Sequence, residues 1–273
     1  MRRTLFLAAF AALLLASCKE DPEKLAAPYL AAARTCYQQG LYEQAKSQID
    51  SVRILHPTAL AARRAALELM KQVEAAEATR TIAYTDSLLA ESQTQLDALL
   101  PRFRYEKDAA YQDLGIYYAP TQDLSRNAGR NYLRATVDEQ GTLLLTSFYS
   151  GAAYIHHRTL RVSDGATYAQ TPPCAAPYES SNAVAKTERC DYTLGADSGV
   201  VAYIAQHAGQ TLKVTYHGQK DYVTTLTRDD TRAIADVYQL ALALQTFRQL
   251  CAVSDEAHRK LQFYEAKEKN DSI

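Results

Sequence analysis

Histidine and cysteine spacing gives the first test for metal chemistry in this chain. No His-Glu-x-x-His, His-x-His or Cys-x-x-Cys spacing occurs among its six histidines and five cysteines. His156 and His157 are neighbours on a predicted strand, so their side chains should point to opposite faces of a sheet. We therefore expect neither a metal site nor a cofactor. The histidines are His56, His156, His157, His207, His217 and His258.

Nucleophilic hydrolysis has no recognisable motif here. The sequence contains no Gly-x-Ser-x-Gly elbow, no glycine-rich phosphate loop and no dinucleotide-binding fingerprint. Acidic residues are scattered mainly over predicted helices, where a solvated face needs them. We expect no catalytic residues, and a hydrolase with an unfamiliar kind of site remains an alternative.

Cys174 and Cys190 are candidates for a disulfide. They bracket a stretch rich in Pro, Ala and Ser that has neither a helix nor a strand period. In an oxidising compartment, a bridge closing this loop would contribute about 3 kcal/mol, mostly by restricting the unfolded chain. Two unpaired thiols are the alternative. Cys36 and Cys251 lie on apolar helix faces and are expected in the core.

The first 18 residues have the pattern of a secretory signal. A basic start precedes an apolar run over residues 5–15, which is too short to span a bilayer as a helix. Leu15-Ala16-Ser17-Cys18 resembles the lipobox of bacterial lipoproteins. The resemblance implies removal of a signal peptide, residues 1–17, and acylation of Cys18. An ordinary signal peptide with an incidental cysteine is the alternative.

The residues after the lipobox bear on the destination. Lys19 replaces the aspartate that serves as the familiar inner-membrane retention signal, and Cys18-Lys19-Glu20-Asp21 resembles the surface-export signal of Bacteroidetes-type lipoproteins. The resemblance implies a lipid anchor in the outer membrane and display at the cell surface.

Three short segments resemble the O-glycosylation sequon of the same kind of bacterium. They are Asp50-Ser51-Val52, Asp86-Ser87-Leu88 and Asp271-Ser272-Ile273. The resemblance makes Ser51, Ser87 and Ser272 candidate glycosylation sites, although such triplets also arise by chance.

The composition and charge of the chain bear on the class of partner that it binds. The 273 residues include 30 Lys plus Arg, 31 Asp plus Glu and 47% hydrophobic residues. The apolar fraction is ample for a folded core, in one large domain or two small ones. Because a phosphate-binding surface needs a basic excess that this chain lacks, we expect no nucleic-acid partner.

The segment before Pro57 predicts two packed helices, Leu25 to Gln39 and Leu41 to Leu55. The string Tyr37-x-x-Gly40-x-Tyr42-x-x-Ala45 resembles a single tetratricopeptide repeat. No second clean copy follows, whereas a repeat array needs at least about three. The resemblance implies one helical hairpin closed by the next helix, and hairpins of this type present grooves for peptides.

The rest of the chain predicts one long helix, a β module and a final helix. Residues 58–100 lack Gly and Pro, which favours a long helix. Alternating β-branched and aromatic residues then predict three hairpins, pairing residues 132–137 with 142–149, 155–162 with 167–170, and 211–216 with 222–227. Beyond a capping signal at Thr227 to Asp230, a broad apolar helix face extends from Ile234 to Cys251.

These elements define an α+β fold class. We expect a helical region over residues 18–113, an antiparallel β module over residues 114–227, and a C-terminal helix over residues 228–273. The last helix needs a partner for its apolar face, so it should pack back on the long helix.

These sequence patterns favour a non-catalytic lipoprotein of the cell envelope. We expect an interaction or adaptor component that its N-terminal lipid holds at the membrane and that binds a protein partner in the envelope. Fourteen of the 19 tyrosines lie at or after Tyr111, which leaves open a surface binding module for a glycan or a small ligand. The absence of Trp makes a sugar-stacking platform less expected.

Replacing the lipobox cysteine tests the anchor. Cys18→Ala removes the thiol that would carry the diacylglyceryl group, so the variant should fail to incorporate labelled fatty acid and should leave the membrane fraction or remain unprocessed. Unchanged membrane fractionation and unchanged labelling of this variant would refute lipidation at Cys18.

Overall fold

The structure is a computed structural model that describes residues 21–271. It divides into two compact units. The helical unit comprises residues up to 85 and residues from 253 onward, and the sheet unit comprises residues 86–252. The mixture of helices and antiparallel strands confirms the expected α+β class.

The helical unit begins with the expected hairpin. Helix α1 (Pro22–Gln38) and helix α2 (Tyr42–Leu55) are joined at Gly40, whose φ of +71° favours glycine in this turn. The third helix of the unit is the first part of α3 (Leu60–Leu99). The core that these helices share is built mainly from small side chains, namely Ala26, Ala33, Ala45, Ile49, Val52, Ala59, Ala62, Ala66, Leu69 and Val73.

Two acidic residues fix the starts of α1 and α3. The Asp21 carboxylate accepts a hydrogen bond from the Glu23 backbone amide at 3.0 Å and caps α1. The Glu23 carboxylate accepts hydrogen bonds from the backbone amides of Ala61 and Ala62, both at 2.9 Å. Free amides at the start of α3 are thereby satisfied by a side chain from α1, so the two helix starts lie side by side.

The sheet unit contains ten strands in two antiparallel sheets. In chain order they are β1 (Arg104–Glu106), β2 (Ile116–Tyr118), β3 (Tyr132–Asp138), β4 (Leu143–Gly151), β5 (Thr159–Ser163), β6 (Tyr168–Gln170), β7 (Tyr178–Ser181), β8 (Lys186–Thr193), β9 (Lys213–His217) and β10 (Tyr222–Thr225). One sheet has the order β1-β2-β3-β4-β8-β7 and the other β10-β9-β5-β6. A short helix, α4 (Val200–Gln206), follows β8.

All three predicted hairpins are confirmed, as the pairs β3–β4, β5–β6 and β9–β10. Two expectations are wrong. The stretch between Cys174 and Cys190 is not irregular, because β7 and β8 pair there and Cys190 lies on β8. His156 and His157 do not lie on a strand, because β5 begins only at Thr159.

The last helix, α5 (Arg228–Asp271), joins the core of the sheet unit through its first half. Its inward residues share one apolar cluster with both sheets and with Leu96 near the end of α3. The turn between β3 and β4 fits closely against it, because the Gln245 side-chain amide donates to the Gly141 carbonyl at 2.7 Å. Gly141 has a φ of +80°, and a Cβ there would lie 2.9 Å from the Ala241 carbonyl. The inward residues of α5 are Ile234, Val237, Leu240, Ala241 and Leu244.

Among residues 21–271, no helix is both long enough and apolar enough to cross a membrane.

Two leucines on the same helix provide a matched test of this packing. Leu244 is 8% exposed within the sheet-unit core, whereas Leu242 is 43% exposed. Leu244→Asp buries a charge and should lower the free energy of unfolding of the sheet unit by about 3 kcal/mol or more. Leu242→Asp should change it by less than about 0.5 kcal/mol. Equal urea midpoints for the two variants would show that the first half of α5 is not a core element.

Candidate docking groove and buried polar network

An open groove lies between α2 and α3 in the helical unit. It has a volume of about 460 Å³. Its floor is apolar, with Ile49 and Ala66 nearly buried, and Leu67 on its side is 57% exposed. The lining residues are Ile49, Asp50, Arg53, Leu60, Arg63, Arg64, Ala66, Leu67 and Met70.

The helical repeat of α3 explains why this groove is open. Ala62, Ala66, Leu69 and Val73 face the hairpin and fill the core. A second apolar position, Leu67, lies on the groove side instead. The α3 helix therefore carries apolar side chains on more of its surface than the hairpin covers, and Leu67 stays exposed at the groove. The second half of α5 lies beside another stretch of α3, around Glu77, Ala78 and Thr81.

Positive charge borders the groove. Arg53 is paired with Asp50 at 3.0 Å, whereas Arg64 is exposed and has no hydrogen-bond or ion-pair partner among residues 21–271. An apolar floor beside an uncommitted guanidinium suits an amphipathic helix that carries a carboxylate next to its apolar face.

The sheet unit contains a different feature, a polar network built around Glu188 of β8. This side chain is 2% exposed and accepts four hydrogen bonds. Its Oε1 accepts from the backbone amides of Ile155 at 2.6 Å and His156 at 2.8 Å. Its Oε2 accepts from the backbone amide of His157 at 2.8 Å and lies 2.7 Å from the His157 Nδ1. One carboxylate therefore satisfies three consecutive amides of the segment that precedes β5.

The network continues from His157 to Ser147 of β4. The His157 Nε2 lies 2.8 Å from the Ser147 Oγ. A neutral imidazole that donates from Nδ1 to Glu188 accepts the Ser147 hydroxyl proton at Nε2. The Cys190 carbonyl, 3.3 Å from the same Oγ, is an alternative acceptor for that proton.

This bonding order is that of a serine, histidine and acid triad, but its setting is a closed core. Ser147, His157 and Glu188 are 0%, 1% and 2% exposed. A nucleophilic serine must meet a substrate carbonyl, so a chemical role would require a path to the hydroxyl. In the described structure, the network instead holds the segment before β5 against β4 and β8.

Burial and hydrogen bonding set the protonation states of the pair. Burial lowers the pKa of His157 below 6.5, and the opposing effect of Glu188 does not restore it. Burial alone would raise the pKa of Glu188, but the amides of His157 and His156 and the other donors hold it below 4.5. Near neutral pH the network therefore consists of a carboxylate and a neutral imidazole.

Cys174 and Cys190 are both buried, and both are free thiols in the structure. The Cys190 thiol donates to the His157 carbonyl at 3.3 Å. Burial raises the pKa of Cys190, and a hydrogen bond with the Cys174 thiol raises it further. The Cys190 sulfur therefore has little thiolate character, and the disulfide between Cys174 and Cys190 stays a prediction.

The remaining predicted site residues are dispersed. Ser51 lies on α2 and donates to the Ser47 carbonyl at 2.9 Å, and Ser87 is exposed on α3. Cys18 and Ser272 lie outside the described residues. Within residues 21–271, no group of three or more His, Cys, Asp or Glu side chains is arranged to hold a metal ion. His156 instead lies 2.7 Å from the Glu179 carboxylate through its Nδ1.

Acid should destabilise the sheet unit through His157. The unfolded chain binds a proton at this histidine below about pH 6.5, whereas the folded chain resists it, so stability falls as the pH drops below that value. The loss approaches about 1.4 kcal/mol per pH unit once the two states differ by one proton. Glu188 acts in the same direction at lower pH, because its stabilising charge is lost as the pH falls through its lowered pKa.

Urea unfolding between pH 7.5 and pH 5 measures this slope. His157→Gln should be less stable at pH 7.5 but should have a shallower dependence of stability on pH than the original chain. His258→Gln changes an exposed histidine of the helical unit, outside the Glu188 network, and serves as the control. Parallel pH profiles for all three proteins would contradict a neutral, buried His157.

Comparisons of this chain with protein-family models, with curated proteins and with solved structures find no match.

Proposed function

We propose that this chain is a non-catalytic lipoprotein of the outer membrane, displayed at the cell surface and acting as an adaptor for a protein partner of the envelope. The acyl chains on Cys18 anchor it, and the groove between α2 and α3 binds the partner. The open groove is the observation that carries this proposal.

A helix is the occupant that the groove fits best. The hairpin resembles a single tetratricopeptide repeat in its sequence, and hairpins of that type present grooves to peptides. Leu67 of α3 is exposed beside the groove, where a helix could cover it. Leu67 and Met70, one turn apart, supply apolar contacts for a helix with residues at a spacing of three or four.

The positive charge beside the groove favours a helix that carries acidic residues. Arg64 has no partner among the described residues, so a helix with Asp or Glu beside its apolar face gains an ion pair that it does not have in water. A second copy of this chain fits poorly, because a two-fold contact would bring the Arg64 side chains toward each other.

The sheet unit offers less support for the catalytic alternative. The serine, histidine and glutamate that stand in triad order are enclosed in the core. Glu188 accepts four hydrogen bonds from one ordered segment. This structural role explains the presence of the three residues without any catalysed reaction.

Photo-crosslinking in intact cells tests the adaptor role. A benzophenone amino acid at Leu67, on the groove, should give a discrete adduct with one envelope protein after irradiation. Adding Met70→Asp removes an apolar contact and introduces a charge on the groove floor, so the yield of that adduct should fall by more than about tenfold.

Tyr84 provides the control position. It lies on the same helix and is 66% exposed, against 57% for Leu67, but it does not line the groove. The same reagent at Tyr84 should give no such adduct. Adducts of equal yield at both positions, or none at Leu67 in the anchored protein, would contradict the proposed docking site.

A further inference from the structure

One end of the helical unit exposes a cluster of large apolar side chains. It consists of Leu25 in the first turn of α1, Ile54 and Leu55 at the end of α2, and Leu60 at the start of α3, which are 41%, 63%, 56% and 70% exposed. We call this cluster the apolar tip. Apolar residues grouped in this way on a surface mark a contact with another molecule or with a membrane.

Contacts between the helices show that these residues share one end of the unit. The rings of Tyr29 in α1 and His56 after α2 lie 5.4 Å apart between centroids. The Glu23 carboxylate binds the amides of Ala61 and Ala62 at the start of α3. The first turn of α1, the end of α2 and the first turn of α3 are therefore neighbours.

This end carries two basic side chains that are not paired with a carboxylate in the part of the chain that the structure describes. The carboxylates of Asp21 and Glu23 are occupied as helix caps. Lys24 and Arg63 meet no carboxylate within residues 21–271. Arg63 donates from Nη1 to the Pro57 carbonyl at 2.8 Å, which holds its guanidinium beside the turn between α2 and α3.

The end of the chain nearest the tip is also the end that carries the lipid. Cys18 precedes Asp21 by three residues, and three residues span at most about 11 Å. Acyl chains on Cys18 would therefore keep the start of α1, and the tip beside it, close to the lipid surface. This step rests on the lipid anchor of the proposed function.

We infer that the apolar tip docks into an anionic lipid surface. Leu25, Ile54, Leu55 and Leu60 enter the boundary between headgroups and acyl chains, and Lys24 and Arg63 bind the lipid phosphates. This combination of apolar and basic side chains is the one that interfacial protein segments use. Docking fixes the orientation of the helical unit on the membrane. Leu60 and Arg63 also line the groove, so that end of the groove meets the lipid, and the part around Leu67 and Met70 stays open to the partner.

The absence of Trp from this chain makes the inference directly measurable. The probe is Leu55→Trp in the mature lipidated protein, reconstituted into vesicles of phosphatidylglycerol and phosphatidylethanolamine with brominated acyl chains. The indole should emit at shorter wavelength than a water-exposed tryptophan, and the brominated chains should quench it. Adding Lys24→Gln and Arg63→Gln should shift the tip about 30-fold toward the undocked state.

Leu41→Trp is the matched control. Leu41 is 43% exposed and lies in the turn between α1 and α2, at the opposite end of the hairpin. Its indole should stay in water and remain unquenched. Vesicle flotation first establishes that each variant is anchored, so loss of the anchor, which defeats the proposed function, is distinguished from an anchored protein with a free tip.

Three results would overturn the inference. The first is equal quenching of Leu55→Trp and Leu41→Trp in anchored protein. The second is quenching of Leu55→Trp that is the same in vesicles of neutral lipid, since this would remove the role of the phosphates. The third is an unquenched Leu55→Trp whose position crosslinks to a protein in cells, which would make the tip a protein contact.

Discussion

The carboxylate of Glu188 is the interaction on which the sheet unit depends. Two charged or polar groups buried at 1% and 2% exposure would be destabilising if left unsatisfied, yet Glu188 receives four hydrogen bonds, and the His157 ring bonds on both nitrogens. The bonds join β8 to the segment before β5 and, through Ser147, to β4. Because β4 and β5 belong to different sheets, one network ties the two sheets of this unit together.

The helical unit has an apolar core of small side chains instead of a buried polar network. Its core is filled mainly by alanines, which lets the helices approach closely but buries little apolar area per residue. Larger side chains, such as Leu60 and Leu67, remain outside. The sheet unit satisfies its polar groups internally, whereas the helical unit leaves large apolar side chains exposed. This difference favours the helical unit as the part that binds other molecules.

The sequence predicts most of the fold because its strongest signals are local. Gly40 and the spacing of small residues predict the hairpin, and turn residues such as those before Gly141 predict the paired strands. Strand β8 escapes prediction because its inward face carries a charge, Glu188, where alternation assigns apolar residues inward. Only the long-range hydrogen bonds from residues 155–157 make that burial possible, and sequence spacing contains no sign of them.

The sequence likewise predicts only part of the candidate site. A groove beside a tetratricopeptide-like hairpin is implied by the resemblance, whereas its position depends on which side of α3 the hairpin covers. The second apolar position at Leu67 was the available signal, since it drifts away from the inward stripe of Ala62, Ala66 and Leu69. The Ser147 and His157 contact had no comparable signal, because its partners come from an irregular segment and a strand.

Hydrogen exchange of the lipidated protein in two membranes tests the central claim most directly. Under the proposed function, native outer-membrane vesicles contain the partner, whereas vesicles of purified lipid do not, and the proposed lipid anchor is common to both. The account predicts slower amide exchange over residues 60–70 of α3 in the native membrane, with no change over residues 155–157 of the sheet unit. Identical exchange of residues 60–70 in both membranes, or added protection confined to the sheet unit, would contradict a docking function for the groove.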